Sequence, residues 1–307
     1  MNVPHSIGKE NSNIWIKLNS NNKLMLYIII VLYKTKIVDS LTYKAILKNI
    51  DILNKIPYKL LVYNNSSEVE IPESNNYEVY TPKDNLKLAG AYNYALQKAT
   101  EEGYKWLLLL DQDTELTREY FIELCQFVNS SDSDNYDIAI PILKNEDFYL
   151  SPLICKKDIG PFAYVNEVRT KSDINNLSDD TFISAYNSVS LLSVSSLLRI
   201  GGFGYAYKLD MLDYYYYYKL SQIHSKVYVF PIYLKQNLSL LEDNFSMSIE
   251  RFEDYQYSRL RFARSIGLKS IFFYKRLLLH EIIFFIKKKY KNKNIYIRKL
   301  IKYLLKW

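Results

Sequence analysis

Glycine, proline and cysteine are scarce in this sequence of 307 residues. Glycine and proline occur 8 times each, which argues against collagen-like, linker-rich and glycine-cradle architectures. The two cysteines, Cys125 and Cys155, are too few for a disulfide framework or a metal cluster. We therefore expect them to be small core residues in a reducing compartment, with a cytoplasmic location. Apolar residues make up 49% of the chain and charged residues 24%, which is typical of a globular protein.

Long uncharged apolar runs are missing as well, and a membrane-spanning helix needs about 18 such residues or more. Residues 24–33, LMLYIIIVLY, have the length of a signal-peptide core. No small-residue cleavage site follows them, and Lys34 and Lys36 come directly after. Their Ile, Val and Tyr content favours a buried parallel strand. Residues 1–23, rich in Asn, Ser and Lys, are predicted to be a flexible extension.

Several familiar catalytic motifs are absent from the sequence. His5, His224 and His280 form no pair at metal-ligand spacing. There is neither a P-loop nor a G-x-S-x-G elbow. Residues 201–204, GGFG, lack the spacing of a dinucleotide fingerprint, so they predict a tight turn.

The positive charge is concentrated in the tail of the chain. Residues 269–307 contain ten Lys, two Arg and one acid, a net charge of +11, whereas the whole chain carries +7. The rest of the chain therefore carries −4. A mildly acidic body lacks the basic face that nucleic-acid binding requires, so we expect no nucleic-acid partner.

Strands and helices alternate along the body. We predict strands at 24–33, 58–63, 77–80 and 104–110, with helices at 40–54, 88–102 and 117–128 between and after them. Residues 130–180 show few helix or strand patterns. A strand reaching residue 194, a helix at 210–222 and a strand at 227–230 follow, and helical patterns dominate from 246. Alternation of this kind predicts an α/β fold with a parallel sheet, whose ligands bind at the carboxyl ends of the strands.

Asp111-Gln112-Asp113 follows the apolar strand 104–110 directly. Two carboxylates one residue apart at a strand end can hold Mg²⁺ or Mn²⁺, which would relieve their mutual repulsion. A bare D-x-D is common and could simply begin the next helix. Its position after a buried strand favours the metal site.

Asp210 and Asp213 lie three residues apart in the predicted helix 210–222, so they would share one helix face. One of them could be a general base. A solvated first helical turn, where acids are favoured, is an equally good interpretation. The five tyrosines that follow, 214–218, are predicted mainly to pack, with an aromatic wall for sugars or lipids as the alternative.

Together these segments resemble glycosyltransferase family 2, and within it the bacterial rhamnosyltransferase-like branch. The resemblance covers residues 25–245 and is carried by five segments: YIIIVLYK (27–34), LLVYNNSSE (60–68), NLKLAGAYNYALQKA (85–99), WLLLLDQDTEL (106–116) and IGGFGYAYKLDMLDYYYYYKL (200–220). WLLLLDQDTEL is similar to the branch's "LDQDT", and the last segment to its "GGFD…FIDYVDIEWCLR".

The resemblance implies a GT-A fold, a mixed Rossmann-like sheet flanked by helices, and inversion at the anomeric carbon. It implies that Asp111 and Asp113 hold the metal and donor sugar, and that Asp213 is the catalytic base. Tyr33, Asn64 and Asn85 would line the donor pocket with Asp111, with Asn64 at the nucleotide base. The implied donor is a dTDP- or UDP-linked sugar. The acceptor is a hydroxyl of a saccharide or lipid-linked saccharide in surface polysaccharide synthesis.

The sequence departs from the family pattern at five places. Asn64 replaces an Asp, Lys87 and Gly204 replace a Gly and an acid, and Tyr215 replaces an acid two residues after the base. Gln236 replaces the His of the branch's "HDLS". These departures leave two alternatives open: a scaffold without catalysis that serves assembly, and a transferase that uses UDP-glucose or UDP-galactose.

The predicted domains are the extension 1–23, a transferase domain 24–245 and a basic helical segment 246–307. Residues 269–307 could lie on an anionic membrane surface at the inner face of the cell membrane. An equally good interpretation is a solvated helix pair that packs on the sheet domain with its lysines outward.

Overall fold

The computed structural model describes residues 25–145, 148–174, 177–236, 247–287 and 293–306. The predicted extension 1–23 lies outside these residues. The strands are β1 Leu26–Leu32, β2 Tyr58–Asn64, β3 Glu78–Tyr80, β4 Trp106–Asp111, β5 Ile138–Asn145, β6 Phe148–Ser151, β7 Leu153–Lys156, β8 Gly160–Glu167, β9 Thr181–Ser184, β10 Ser190–Ser193 and β11 Val227–Lys235. The α-helices are α1 Leu41–Lys48, α2 Ile50–Leu53, α3 Lys87–Glu101, α4 Arg118–Asn129, α5 Val194–Arg199, α6 Leu212–Gln222, α7 Ile249–Ile266, α8 Leu268–Lys287 and α9 Lys293–Leu305.

The main sheet has the order β11-β5-β10-β4-β1-β2-β3, and β6 pairs with β5. β1, β2, β3 and β4 are parallel, as predicted, but β10 runs antiparallel to both β4 and β5. The expectation of a wholly parallel sheet is therefore wrong, and the mixed sheet implied by the family resemblance is correct. Since β5 and β11 are parallel to each other and opposite to β10, their carboxyl ends lie at the same edge as that of β4.

The side chains of β1 pack against helices on both faces of the sheet. All seven of its residues are buried, and successive side chains point to opposite faces. Tyr27, Ile29 and Val31 join a core that includes α3 and α6. Leu26, Ile28, Ile30 and Leu32 join a second core that includes α1, α2 and α4. Burying each large apolar side chain stabilises the fold by roughly 1.5–3 kcal/mol, so this strand anchors both layers.

The helix predicted over 40–54 is interrupted at Asn49. The Ser40 side chain accepts a hydrogen bond from the Tyr43 N–H and caps α1, as expected. Asn49 is buried, and its Nδ2 donates to the Ala45 carbonyl at 2.9 Å. An Asn side chain that binds nearby backbone competes with the helical ladder, and the chain leaves helical geometry at that residue.

Residues 130–180 contain the largest correction to the predicted fold. They form β5 to β8, and β9 follows at 181–184. β8, β7 and β9 make a separate three-stranded antiparallel sheet that packs on α6. Most of these strands are only four residues long, and half-exposed strands give little alternation of polar and apolar side chains. Their pairing depends on contacts with distant parts of the chain.

The glycine turn 201–204 is fastened to α3 by one side chain. Asn93 Oδ1 accepts from the Phe203 N–H at 2.9 Å, and Asn93 Nδ2 donates to the Phe203 carbonyl at 2.6 Å. Gly202 has φ +74°, and a Cβ there would lie 2.6 Å from Asn93 Oδ1. This turn leads into the segment that carries Asp210 and Asp213.

We expect Asn93→Ala to lower the free energy of unfolding by about 1–3 kcal/mol, because both backbone groups of Phe203 lose their partner. Chemical denaturation measures the change. Gln97→Ala, one turn further on the same helix, is the matched control, since the Gln97 amide binds only an exposed Glu101. Equal stability of the two variants would contradict this role for Asn93.

Candidate active site

The loop that follows β4 is held by hydroxyl groups from other elements. Ser188 Oγ accepts from the Asp111 N–H at 3.1 Å. Thr42 Oγ1 donates to the Asp111 carbonyl at 2.5 Å and accepts from the Thr114 N–H at 3.0 Å. These bonds use the backbone of the loop and leave the Asp111 carboxyl available.

Gln112 connects the same loop to the end of β1. Its Oε1 accepts from the Tyr33 N–H at 2.8 Å, and its carbonyl accepts from Ser40 Oγ at 2.7 Å. The sequence singled out Asp111 and Asp113 but gave Gln112 no role. The hydroxyls of Ser40, Thr42 and Ser188 were also missed, because their contacts cross about 70 or more residues of chain.

The carboxyl of Asp111 lies in a protected position. Burial, together with the nearby charge of Asp113, raises the pKa of Asp111 from 3.8 to about 7. The Tyr92 hydroxyl lies 3.5 Å from Asp111 Oδ1 and opposes this shift. Asp113 is exposed. The pair therefore combines one buried and one solvent-facing carboxyl group.

Asp213 stands at the start of α6. Its Oδ1 accepts from the Tyr214 N–H at 2.8 Å. Burial, with smaller contributions from the charges of Asp210 and Asp111, raises the pKa of Asp213 from 3.8 to about 7 in spite of this bond. The negative charge of Asp111 therefore contributes to the raised pKa of Asp213, although the two residues lie on different elements. The structure brings together the predicted metal ligand and the predicted base.

Asp210 does not share a helix face with Asp213, contrary to the prediction. α6 begins at Leu212, and Met211 before it has the left-handed φ of 68°. Asp210 therefore lies in the preceding turn, where burial raises its pKa and Arg251 at 3.4 Å opposes the shift. It lines a cavity of about 140 Å³ together with Lys87, Lys208 and other residues of 206–210 and 251–258.

Tyr92 on α3 is a site residue that the sequence did not reveal. It is fully buried, and burial with the charges of Asp111 and Asp213 raises its pKa well above 10. The phenol therefore stays protonated, so its O–H can donate a hydrogen bond to the carboxylate of one of these two acids. Its helical spacing is that of an ordinary core residue, so no pattern in the sequence distinguishes it.

The three residues predicted to line the donor pocket occupy different environments. Tyr33 is 48% exposed at the end of β1. Asn85 is exposed, and its Oδ1 accepts from the Lys87 N–H at 2.8 Å at the start of α3. Asn64 is buried; its Nδ2 donates to the Val69 carbonyl at 2.7 Å, and its Oδ1 accepts from the Ser66 N–H at 3.1 Å. Asn64 thus holds the turn after β2, and a nucleotide-binding role for these residues stays a prediction.

A larger cavity of about 810 Å³ lies between the segments that follow β1 and β2. It is lined by residues 34–39 and by 68–70 and Pro72. Asp111 and Asp213 line neither of the two cavities. Tyr33, whose N–H binds Gln112 Oε1, directly precedes Lys34 of the larger cavity, and Asp210 lines the smaller one.

Two of the departures from the family pattern, Gly204 and Tyr215, are in contact with each other in the structure. A Cβ on Gly204 would lie 2.5 Å from the Tyr215 ring, which stacks on Tyr207 with centroids 4.6 Å apart. An acid at 204 would therefore have to displace the aromatic ring that stands at 215. The tyrosine run serves packing, as expected: Tyr216 and Tyr217 are fully buried.

Gln236 follows β11 at the same edge of the sheet. Its N–H donates to the Lys144 carbonyl at 2.9 Å, and its Oε1 is buried and has no hydrogen-bond partner among the described residues. The remaining three residues of the segment similar to "HDLS", 237–239, lie outside the described residues.

The donor set at Asp111 and Asp113 fits a hard divalent cation. Burial and the charge of Asp113 raise the pKa of Asp111, and no cation among the described residues lowers it. Within the described part of the chain there is no group of three or more His, Cys, Asp or Glu side chains that could hold a metal. Mg²⁺ characteristically takes one or two carboxylates and completes its shell with water and substrate phosphates, which matches such an incomplete set.

Comparison with known proteins identifies the family and the fold. The family model described as Glycosyl transferase family 2 matches residues 28–186. The structure titled GalNAc-T7 with UDP, GalNAc and Mn²⁺ is similar at a TM-score of 0.51 and 10% identity, covering 85% of this chain. This chain spans 58% of the length of that structure. A mannosyltransferase from Pyrobaculum calidifontis, in complex with GDP-Man and Mn²⁺, aligns at a TM-score of 0.47 and 13% identity, covering 91% of this chain and 69% of its own. No curated protein sequence matches.

We expect Asp213→Asn to stabilise the metal-free protein at pH 8 and not at pH 4. A folded pKa of about 7 against an unfolded value of 3.8 means that the folded state binds an extra proton between these pH values. The wild type therefore loses stability as the pH rises through this window, and the loss is complete above pH 7. Removing the charge should return about 1 kcal/mol or more at pH 8.

Thermal unfolding in EDTA at the two pH values measures this difference. Asp132→Asn, an exposed acid outside the site, is the control and should unfold like the wild type at both. An unfolding temperature for Asp213→Asn that matches the wild type at pH 8 would contradict the buried, unpaired carboxyl.

Proposed function

We propose a reaction for this protein from the premise that the chain belongs to glycosyl transferase family 2. The protein transfers a sugar, rhamnose-like or a hexose, from a nucleotide diphosphate to a hydroxyl group, with inversion at the anomeric carbon. The proposal is carried by Asp111 and Asp213, two acids on different elements whose pKa values burial raises to about 7. A residue with that pKa can take up a proton near neutral pH.

Asp213 is the general base of the proposed reaction. The acceptor hydroxyl attacks the anomeric carbon from the face opposite the diphosphate, and its proton moves to an Asp213 carboxylate oxygen. The new carbon–oxygen bond forms as the bond to the diphosphate oxygen breaks, so the nucleoside diphosphate leaves with the bonding electron pair. The Tyr214 N–H at 2.8 Å orients the Asp213 carboxylate for this transfer.

Asp111 and Asp113 would hold the Mg²⁺ or Mn²⁺ ion. When bound, the ion offsets the negative charge that develops on the diphosphate. Tyr92 and the hydroxyls of Thr42 and Ser188 keep Asp111 in place. Asp113, being exposed, can reach toward the incoming donor.

The donor is a UDP- or dTDP-linked sugar in this proposal. Tyr33, Asn64 and Asn85 line its pocket at the ends of β1 and β2 and the start of α3. The similar GalNAc-T7 structure contains UDP and Mn²⁺, which supports a uridine donor. The acceptor is a saccharide or lipid-linked saccharide in surface polysaccharide synthesis, as the resemblance to the rhamnosyltransferase-like branch suggests.

A donor screen by thermal shift tests the donor class. The full chain is heated with Mn²⁺ and dTDP-rhamnose, UDP-glucose, UDP-galactose or GDP-mannose, each against the free nucleotide. A donor that binds only the folded state raises the unfolding temperature. We expect a UDP- or dTDP-sugar to give the largest rise, and a larger rise with GDP-mannose would overturn the assignment of the nucleotide.

We expect Asp213→Asn to lower sugar transfer by about 10²–10⁴-fold while donor and Mn²⁺ binding are kept, because the amide cannot take up the proton. Transfer is measured by release of the nucleoside diphosphate, and binding by calorimetry. Asp111→Asn should instead weaken Mn²⁺ binding. An undiminished rate in Asp213→Asn would rule out this base.

The same assays distinguish an active transferase from a scaffold without catalysis. A scaffold without catalysis would bind a nucleotide sugar and release no nucleoside diphosphate, with or without an added saccharide. Metal-dependent hydrolysis of the donor by the wild type would exclude this class.

A further inference from the structure

α8 presents a continuous apolar face to solvent. Leu268, Phe272, Leu279, Ile283 and Ile286 are 47–75% exposed. At 100° per residue these five positions fall within an arc of about 60° on the helix, over a length of about 27 Å. Large apolar side chains usually reach the surface singly, so a stripe of five indicates a surface that binds something.

The opposite face of α8 is occupied by the protein itself. Ser270, Tyr274, Leu278 and Phe285 are buried, and the last three join a core formed with α7 and α9. Ser270 Oγ donates to the Ile159 carbonyl at 2.9 Å, which fastens the helix to the three-stranded sheet. The orientation of α8 is therefore fixed, and the apolar stripe cannot turn inward.

The acid of this helix points away from the stripe. Glu281 is the only Asp or Glu between 268 and 287, and it lies on the inner side. Its Oε1 accepts from Nη1 of the buried Arg259 at 2.7 Å, and its Oε2 accepts from Gln256 Nε2 at 3.2 Å. The outward side of α8 therefore carries no carboxylate.

Cations flank the stripe instead. Arg276 and Lys287 are exposed and lie within about 40° of its edge. Lys269 is exposed too and pairs with Asp158 at 2.5 Å. Apolar side chains bordered by Arg and Lys, with no acid of α8 on this side, match the interface of a bilayer that contains anionic lipids.

We propose that the outer face of α8 binds the surface of an anionic membrane. The helix lies in the plane of the interface, with Phe272, Leu279 and Ile283 among the acyl chains and Arg276 and Lys287 at the lipid phosphates. No helix among the described residues has the length and apolar character to traverse a bilayer. The proposal does not depend on the proposed reaction.

A second copy of the chain fits the stripe less well. A two-fold symmetric contact would place the same patch of both copies together. Arg276 and Lys287 of both copies would then lie in one interface, with no outward carboxylate on α8 to pair with them. Anionic lipids supply the missing negative charge.

Vesicle flotation of the full chain tests the proposal, using phosphatidylcholine vesicles with and without phosphatidylglycerol. We expect binding to the anionic vesicles, weakened by added salt. Leu279→Glu should reduce binding by about tenfold or more, because it places a charge among the acyl chains. Arg276→Glu should abolish the preference for phosphatidylglycerol.

Leu47→Glu on α1 is the matched control, since Leu47 is 42% exposed and Leu279 47%. It should bind vesicles like the wild type. Circular dichroism and donor hydrolysis without vesicles show whether each variant folds, so a loss of reaction is separated from a loss of lipid binding. Failure of the wild type to float, an equal effect of both Glu variants, or a wild-type dimer that Leu279→Glu dissociates would overturn the proposal.

Discussion

The site depends on two carboxyl groups, those of Asp111 and Asp213, that the fold removes from water. Asp111 and Asp213 come from β4 and α6, and the packing of these elements leaves both carboxyls partly shielded from water and without a cationic partner close enough to keep their pKa values low. The protein does not relieve this cost itself. A divalent cation at Asp111 and a proton at Asp213 would each lower the cost of holding these charges away from water. The proposed reaction brings both.

The surrounding contacts are arranged so that they do not neutralise the acids. Neutral hydroxyls of Thr42, Ser40 and Ser188 hold the loop 111–114 through its backbone. Tyr92 reaches Asp111 with a phenol that stays protonated. A Lys or Arg in place of Ser188 or Thr42 could not accept the hydrogen bonds from the loop N–H groups, and its charge would lower the pKa of the carboxyl and compete with the metal.

The helices α7, α8 and α9 connect the candidate active site to the outer face of α8. Arg251 on α7 pairs with Asp210, next to the proposed base. The buried Arg259 pairs with Glu281 and thereby directs the acid of α8 inward. Deleting residues 269–307 would remove Glu281 and uncover the apolar core that α7 shares with α8 and α9, which is strongly destabilising. Point substitutions on the outer face of α8 therefore test membrane binding more cleanly than truncation does.

The sequence by itself determined the parallel part of the sheet, the helices α3 and α4 and the pair of acids at a strand end, because each depends on local periodicity or on neighbours a few residues away. Tertiary structure alone decided the antiparallel β10 and the second sheet, whose short strands pair over long separations. It also decided that Tyr92 lies beside Asp111, that Asp210 precedes α6 rather than sharing its face with Asp213, and that Gly204 leaves room for Tyr215. These features arise where segments far apart in the sequence come into contact. The spacing of residues along the chain does not give the distances between such segments in the folded protein.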